Sequence, residues 1–301
     1  MTKNMLEILK NIDSNKGQVI NSLIKSNVLT VKDIVSAAIE SKNPSIIFSV
    51  TTYTNGLNNE DIDKLADAII STGNAHYTYY FALKVKGAPI DKLADAVIAT
   101  KYVEYIYYFA LDVKGAPLDK LADAVIATED AEYIYSFARY IKRAPLEKLA
   151  DAIIATKDAM NIYVFAWGVK GAPIDKLADA VIATEDAKYI YSFARYIKGA
   201  PLEKLTDAII ATEDAKYIYS FARYIKRAPI EKLAKAIIAT GNMEYINLFV
   251  QETMAKLIKL ANNGDLKTIE SGADTYRSLL LGTEDEVQEK PKTKVRKIGN
   301  K

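Results

Sequence analysis

Apolar residues return at i, i+3, i+4 and i+7 along most of the chain, with polar residues in the gaps. In 89–98, Ile90, Leu93, Ala94 and Val97 form one such stripe. In 131–141, Ala131, Ile134, Phe137, Ala138 and Ile141 form another. Each stripe predicts a short amphipathic α-helix, helix A and helix B respectively. The punctuation between stripes is equally regular. Pro89 and its equivalents are placed in the first turn of helix A, where a missing N–H is no loss. Asn74, Asp130, Asp158, Asp186, Asp214 and Asn242 are expected to cap helix B, with Tyr102 the exception. Helix B is expected to end at Gly87, Gly115, Gly171 or Gly199, residues suited to a left-handed C-terminal position. Arg143 and Arg227 share that place, at a cost of about 1 kcal/mol relative to glycine.

The two-helix pattern is a repeat. Prolines fall at 89, 117, 145, 173, 201 and 229, each 28 residues after the last. Pro117–Ala144 and Pro201–Ala228 differ only at Asp119/Glu203, Ala122/Thr206, Val125/Ile209 and Glu132/Lys216. Residues 61–88 are the same unit without the proline. In 29–60 a diverged unit aligns Ile34, Ala37 and Asn43 with Leu65, Ala68 and Asn74 at an offset of 31, and its extra residues are placed in a loop, Asn58–Glu60. Residues 1–28 read as an N-terminal helical cap and 61–262 as tandem repeats. The last helix B is expected to run on to Ala261. Residues 263–282 then read as a C-terminal capping helix and 283–301 as a disordered charged tail.

Helices of about 12 residues are marginal alone in water. Stacked hairpins bury their stripes, so the expected fold is an all-α, right-handed α-solenoid of about eight helix-turn-helix repeats. Over 29–262 this resembles, in architecture, the tetratricopeptide and HEAT-like arrays. The unit is shorter than the roughly 34 residues of the tetratricopeptide repeat and lacks its W-x₂-L-G-x₂-Y pattern. What the resemblance implies is a binding scaffold that presents a long surface.

Composition narrows the function classes. Half of the 301 residues are apolar, enough for a large core, and no apolar run approaches the roughly 18 residues of a membrane span. Met1–Lys16 has no apolar signal core, so a cytoplasmic chain without membrane contact is expected. With no cysteine and one histidine, His76, disulfides, thiolate catalysis, cysteine-based zinc sites and multi-histidine metal sites are excluded. No phosphate loop or Ser/His/Asp order is present. The chain reads as a non-enzyme with no cofactor, no metal and no small-molecule substrate. Its Lys-, Ile-, Asn- and Tyr-rich usage fits an AT-rich genome, such as that of a low-GC bacterium or its phage.

Comparison of the repeats with each other locates the candidate site. Helix A is nearly invariant. Its outward face carries an acidic ladder, Asp91, Asp119, Glu147, Asp175, Glu203 and Glu231, with Asp95, Asp123, Asp151, Asp179 and Asp207 one turn on. This reads as a solvated face. Helix B varies at three outward positions. At position 132 and its equivalents stand His76, Glu104, Glu132, Met160, Lys188, Lys216 and Glu244. At 136 stand Tyr80, Tyr108, Ser136, Val164, Ser192, Ser220 and Leu248; at 139 stand Leu83, Leu111, Arg139, Trp167, Arg195, Arg223 and Gln251.

A constant scaffold with one varying stripe is what a recognition surface requires. The apolar members Tyr80, Leu83, Tyr108, Leu111, Met160, Val164 and Trp167 point to a protein partner, because exposed apolar rows mark interfaces. Gly168 is expected to leave room beside Trp167. Arg139, Lys188, Arg195, Lys216 and Arg223, interleaved with Tyr140, Tyr196 and Tyr224, point to nucleic acid as the alternative. His76 is read as a surface residue. The 20 tyrosines fall mainly at 133, 135 and 140 and their equivalents, where rings can pack between repeats with hydroxyls in water.

Overall fold

The computed structural model describes residues 14–262, together with Leu9. Among these the chain forms 17 α-helices and no strand. The diverged start holds α1 (Ser14–Lys25), α2 (Val31–Ser41) and α3 (Pro44–Tyr53). Helices A and B then alternate as α4 (Asn59–Ser71), α5 (Ala75–Lys84), α6 (Ile90–Ala99), α7 (Val103–Asp112), α8 (Leu118–Ile126), α9 (Ala131–Tyr140), α10 (Leu146–Ala155) and α11 (Ala159–Gly168). They continue as α12 (Ile174–Ile182), α13 (Ala187–Tyr196), α14 (Leu202–Ala211), α15 (Ala215–Tyr224), α16 (Ile230–Ala239) and α17 (Met243–Asn262). Two compact units, Met1–Ala180 and Val181–Lys301, divide the chain within α12. Inside each unit helices pack on their sequence neighbours and on the helix after, so that A lies on A and B on B between successive hairpins. This is an α-solenoid of helical repeats.

The core follows the predicted stripes. Each helix A inserts a leucine, from Leu65 and Leu93 to Leu205 and Leu233, and each helix B a phenylalanine, from Phe81 and Phe109 to Phe193 and Phe221, all fully buried. Burying each contributes roughly 1.5–3 kcal/mol. Thr206 replaces alanine in this core, and its hydroxyl donates to the Leu202 carbonyl at 2.7 Å, so the added hydroxyl is paired.

The turns differ in detail from the expectation. Pro89, Pro117, Pro145, Pro201 and Pro229 stand one residue before helix A, as N-caps with φ near −75°, and accept no side-chain help. Where no proline stands, α4 starts three residues earlier than the pattern of its successors. Asn58 caps it reciprocally with Asp61, so Asn58–Glu60 is a helix start and not a loop. A proline at position 61 would disfavour the helical conformation of the residue before it; Asp61 does not.

Helix B also ends earlier than expected, at Lys84 or its equivalents. Gly87, Gly115, Gly171 and Gly199 have φ of 80° to 84°, but they lie in the β-turn that follows, closed in the first case by Ala88 N–H to the Val85 carbonyl. Positive φ at the third residue fits a type II turn. Arg143 and Arg227 occupy the same slot with φ of 64° and 63°.

The turn from A to B holds a second left-handed residue. Gly73 and Gly241 fill it in two repeats, but Lys101, Glu129, Lys157, Glu185 and Glu213 fill it in the others, with φ between 54° and 60°. The threonine before each one locks the turn: Thr128 Oγ1 donates to the Val125 carbonyl at 2.6 Å and accepts from Asp130 N–H at 3.4 Å. Asp130 then caps helix B through Glu132 and Tyr133 N–H.

In the diverged start, Asn21 pins α1 to the end of α3, donating to the Tyr53 carbonyl at 2.9 Å and accepting from Asn55 N–H at 2.8 Å. At the far end α17 runs on to Asn262, one residue past the expected Ala261. The first predicted helix of 1–28, the capping helix at 263–282 and the tail at 283–301 lie outside the described residues, apart from Leu9.

Candidate functional site

The two helices of each repeat present different outer faces. On helix A, five lysines that follow the first carboxylate reach back to the preceding repeat, whereas Lys64 on α4 pairs with Glu60 of its own helix at 2.6 Å. Lys92 pairs with Asp67, Lys120 with Asp95, Lys148 with Asp123 at 2.7 Å and Lys176 with Asp151; in the second unit Lys232 pairs with Asp207. The acidic ladder is therefore an alternating ion-pair ladder rather than a bare anionic face. Its side chains are 40–61% exposed in these pairs, so each pair contributes at most about 1 kcal/mol. Position 235 carries lysine where Asp207 stands one repeat earlier, which ends the series.

Helix B position 132 points outward as expected, position 139 does so except at Leu83, and position 136 does so only in part. In Met1–Ala180, Tyr108, Leu111, Met160 and Trp167 are exposed by 36%, 41%, 55% and 62%, which places Trp167 in solvent and not folded onto its own repeat. Tyr80, Leu83 and Val164 are half-buried instead. Tyr80 is enclosed by its own aromatic neighbours, with ring centroids 4.7 Å from His76, 5.0 Å from Tyr79 and 6.3 Å from Phe48. The His76 ring is held in the same cluster, its Nδ1 3.2 Å from the Tyr105 hydroxyl. In Val181–Lys301, Lys188, Arg195, Lys216 and Arg223 are all exposed, as is Arg139 in the first unit.

The structure adds a rule that the stripe alone did not reveal. The tyrosine at position 135 and the residue at 139 of one repeat meet the residue at 140 of the next repeat, 33 positions after the tyrosine. Where that residue is acidic, it takes the hydroxyl. Tyr79 donates to Asp112 at 2.6 Å, and Tyr219 donates to Glu252 at 2.8 Å. Burial and then the Asp112 carboxylate push the Tyr79 phenol far above its ordinary range. Burial raises Tyr219 as well.

Where the next residue is glycine, it makes room. Any side chain at Gly168 would meet the Tyr135 ring and hydroxyl and the Arg139 guanidinium. The space expected beside Trp167 is thus already filled from the preceding repeat.

Each arginine of the stripe is committed to tyrosine. Arg139, Arg195 and Arg223 donate to the hydroxyls of Tyr135, Tyr191 and Tyr219 one turn back, and these bonds hold their pKa above the ordinary arginine value. Arg195 Cζ lies 5.2 Å from the Tyr196 ring centre and 4.6 Å from that of Tyr224 in the next repeat. Arg223 also pairs with Glu252. Lys188 and Lys216 sit over the rings of Tyr189 and Tyr217, at 4.9 and 5.4 Å.

Rings at 135 also meet the ring at 133 of the following repeat: Tyr107 with Tyr133 at 5.9 Å, Tyr191 with Tyr217 at 6.0 Å and Tyr219 with Tyr245 at 5.8 Å. Packing between repeats is therefore the tyrosines' structural role, but the hydroxyls of Tyr79 and Tyr219 are bonded to carboxylates rather than left to water.

Asp112, Glu252, Tyr191 and Tyr219 are the residues that the outward stripe missed. The signal for Asp112 and Glu252 was present as departures from tyrosine at position 140, which also include Lys84 and Gly168. Among the described residues no group of three or more His, Asp or Glu is placed to hold a metal ion. Among the same residues no helix is long and apolar enough to cross a membrane. The chain matches no family model, no curated protein and no solved structure.

Proposed function

We propose that the chain is a cytoplasmic, non-enzymatic scaffold that binds a protein partner along the outer face of its B helices. One observation carries this reading. Helix α11 is apolar on both sides. Ala159, Ile162, Phe165 and Ala166 face the core, while Met160 and Trp167 stand in solvent with Val164 half-buried between them. A helix that is apolar all round is normally covered. The corresponding helices α13 and α15 carry Lys, Ser and Arg at the same positions and need no cover. Tyr108 and Leu111 on α7 extend the apolar character within the same unit.

The partner gains area from a rigid, preformed surface, so little ordering entropy opposes binding. Nucleic acid is the less well supported partner. The rings that would stack bases hold guanidinium groups of the same chain, and Glu244 and Glu252 interrupt the basic stripe.

The test is affinity capture from native lysate with the wild type, a Met160→Lys/Trp167→Ala variant, and Asp123→Asn as a control on helix A. A protein identified by mass spectrometry that is retained by wild type and control and lost with the double variant is the expected result. Equal recovery on all three baits overturns the proposal.

A further inference from the structure

Arg139, Arg195 and Arg223 are chemically equivalent in sequence and differ in what the following repeat places against them. Arg139 meets Gly168, so no ring from the next repeat covers it. Arg223 meets Glu252 and is neutralised. Arg195 meets Tyr224. It is held between rings of its own helix, Tyr191 and Tyr196, and the ring of Tyr224 on the next. Among the described residues no carboxylate pairs with Arg195 or with Lys226 nearby.

Arg195 borders a groove of about 380 Å³ lined also by Ala194, Tyr196, Leu202, Tyr224, Ile225 and Lys226. It holds two cations, two phenols and an aliphatic floor, and no acid. The equivalent groove one repeat on, at Arg223, is about 130 Å³ and is lined by Glu252.

We infer that the Arg195 groove is a site for an acidic peptide segment of the partner. The Tyr191 hydroxyl uses one donor of the Arg195 guanidinium, and the other N–H groups remain to grip a carboxylate. The rings fix the guanidinium plane before the ligand arrives, which lowers the entropy lost on binding. Lys226 supplies a second charge, and Leu202 and Ile225 take an aliphatic side chain beside the acid. The recognised element is thus an aspartate or glutamate next to a branched apolar residue. A short peptide fits better than a nucleic-acid strand, because the positive patch ends at Glu244 and Glu252 within the same unit.

The inference rests on the scaffold reading above and is tested separately from it. Fluorescence anisotropy of the full chain is measured with a labelled peptide of alternating glutamate and leucine, with its glutamine counterpart, and with a single-stranded oligonucleotide of equal charge. The glutamate peptide is expected to bind, and the glutamine peptide to bind about tenfold more weakly. Arg195→Lys keeps the charge and loses the fork; Lys226→Gln alters an exposed turn. Each is expected to weaken the glutamate peptide about tenfold, with Lys232→Gln on helix A unchanged and all variants melting within about 2 °C of wild type.

Equal binding of the two peptides, equal loss in Lys232→Gln, or tighter binding of the oligonucleotide overturns the site. Trp167-dependent capture of a partner with no Arg195 dependence of peptide binding overturns the groove alone and leaves the scaffold standing.

Discussion

Helix A and helix B are built on the same apolar spacing, yet their outer faces have opposite chemistry. On helix A the lysines of successive repeats answer an aspartate of the repeat before, and the face is nearly identical from repeat to repeat. On helix B the residue at one position meets a different neighbour in each repeat, giving a phenol–carboxylate bond, a filled glycine notch or a stacked arginine. The contrast separates what holds repeats together from what distinguishes them. A ladder that closes on itself can be copied without consequence. A junction whose state depends on two successive repeats changes each time either one changes.

The contrast predicts a graded response to substitution. The largest effect belongs to the core shared by both helices. Phe193→Ala is expected to cost about 3–5 kcal/mol in denaturant unfolding, while Trp167→Ala, in solvent, changes stability by less than about 0.5 kcal/mol. Comparable losses for the two would erase the distinction between core and face.

Next comes a junction. Tyr79→Phe removes the hydrogen bond to Asp112 and is expected to cost about 1 kcal/mol at neutral pH. The pH dependence has a definite sign. The folded-state pKa of Tyr79 is raised, so its contribution is complete below the unfolded tyrosine value of about 10 and is lost as pH rises beyond it. Thermal melts from pH 8 to 11 should fall more steeply for wild type than for Tyr79→Phe; parallel profiles would show that the phenol is not held.

The third effect is favourable. Glu213 sits at φ 54° in the turn from A to B, a slot that Gly73 and Gly241 fill elsewhere. Glu213→Gly should stabilise by about 0.5–1 kcal/mol, read as a higher melting temperature. A lower one would mean that the Glu213 side chain has a compensating role.

The smallest effect tests helix A itself. Asp123→Asn breaks one exposed pair with Lys148 and is expected to cost less than about 0.5 kcal/mol, an effect that vanishes in 1 M salt. A salt-resistant loss would show that the ladder is structurally coupled.

The helices and their caps were legible in the sequence because they are local. An apolar residue every three or four positions and an aspartate ahead of helix B act within one turn of chain. Turn details were less legible. A glycine signals a positive φ without saying whether it ends a helix or lies in the β-turn after it, and Glu129 or Lys157 gives no such signal at all. Position 136 was read as fully outward, but Tyr80 and Val164 there are half-buried, Tyr80 against Phe48 of the preceding B helix among others, and that depends on packing distance rather than spacing.

The junction rule was the least legible part. Tyr79 and Asp112 are 33 residues apart, and only the register between successive B helices brings them together. Gly168 shows the same limit, since its missing side chain serves Tyr135 and Arg139 of the previous repeat rather than the tryptophan beside it.

That junction has a consequence for how such an array diversifies. The stretch that is inherited is one repeat, but the stretch that is read is the seam between two. Tandem copying of a repeat keeps every existing seam and adds one new one, formed by the repeat with itself. Exchanging two repeats creates seams found nowhere in the parent, with no new residue introduced. A small vocabulary of repeats can therefore write many distinct surfaces by order alone.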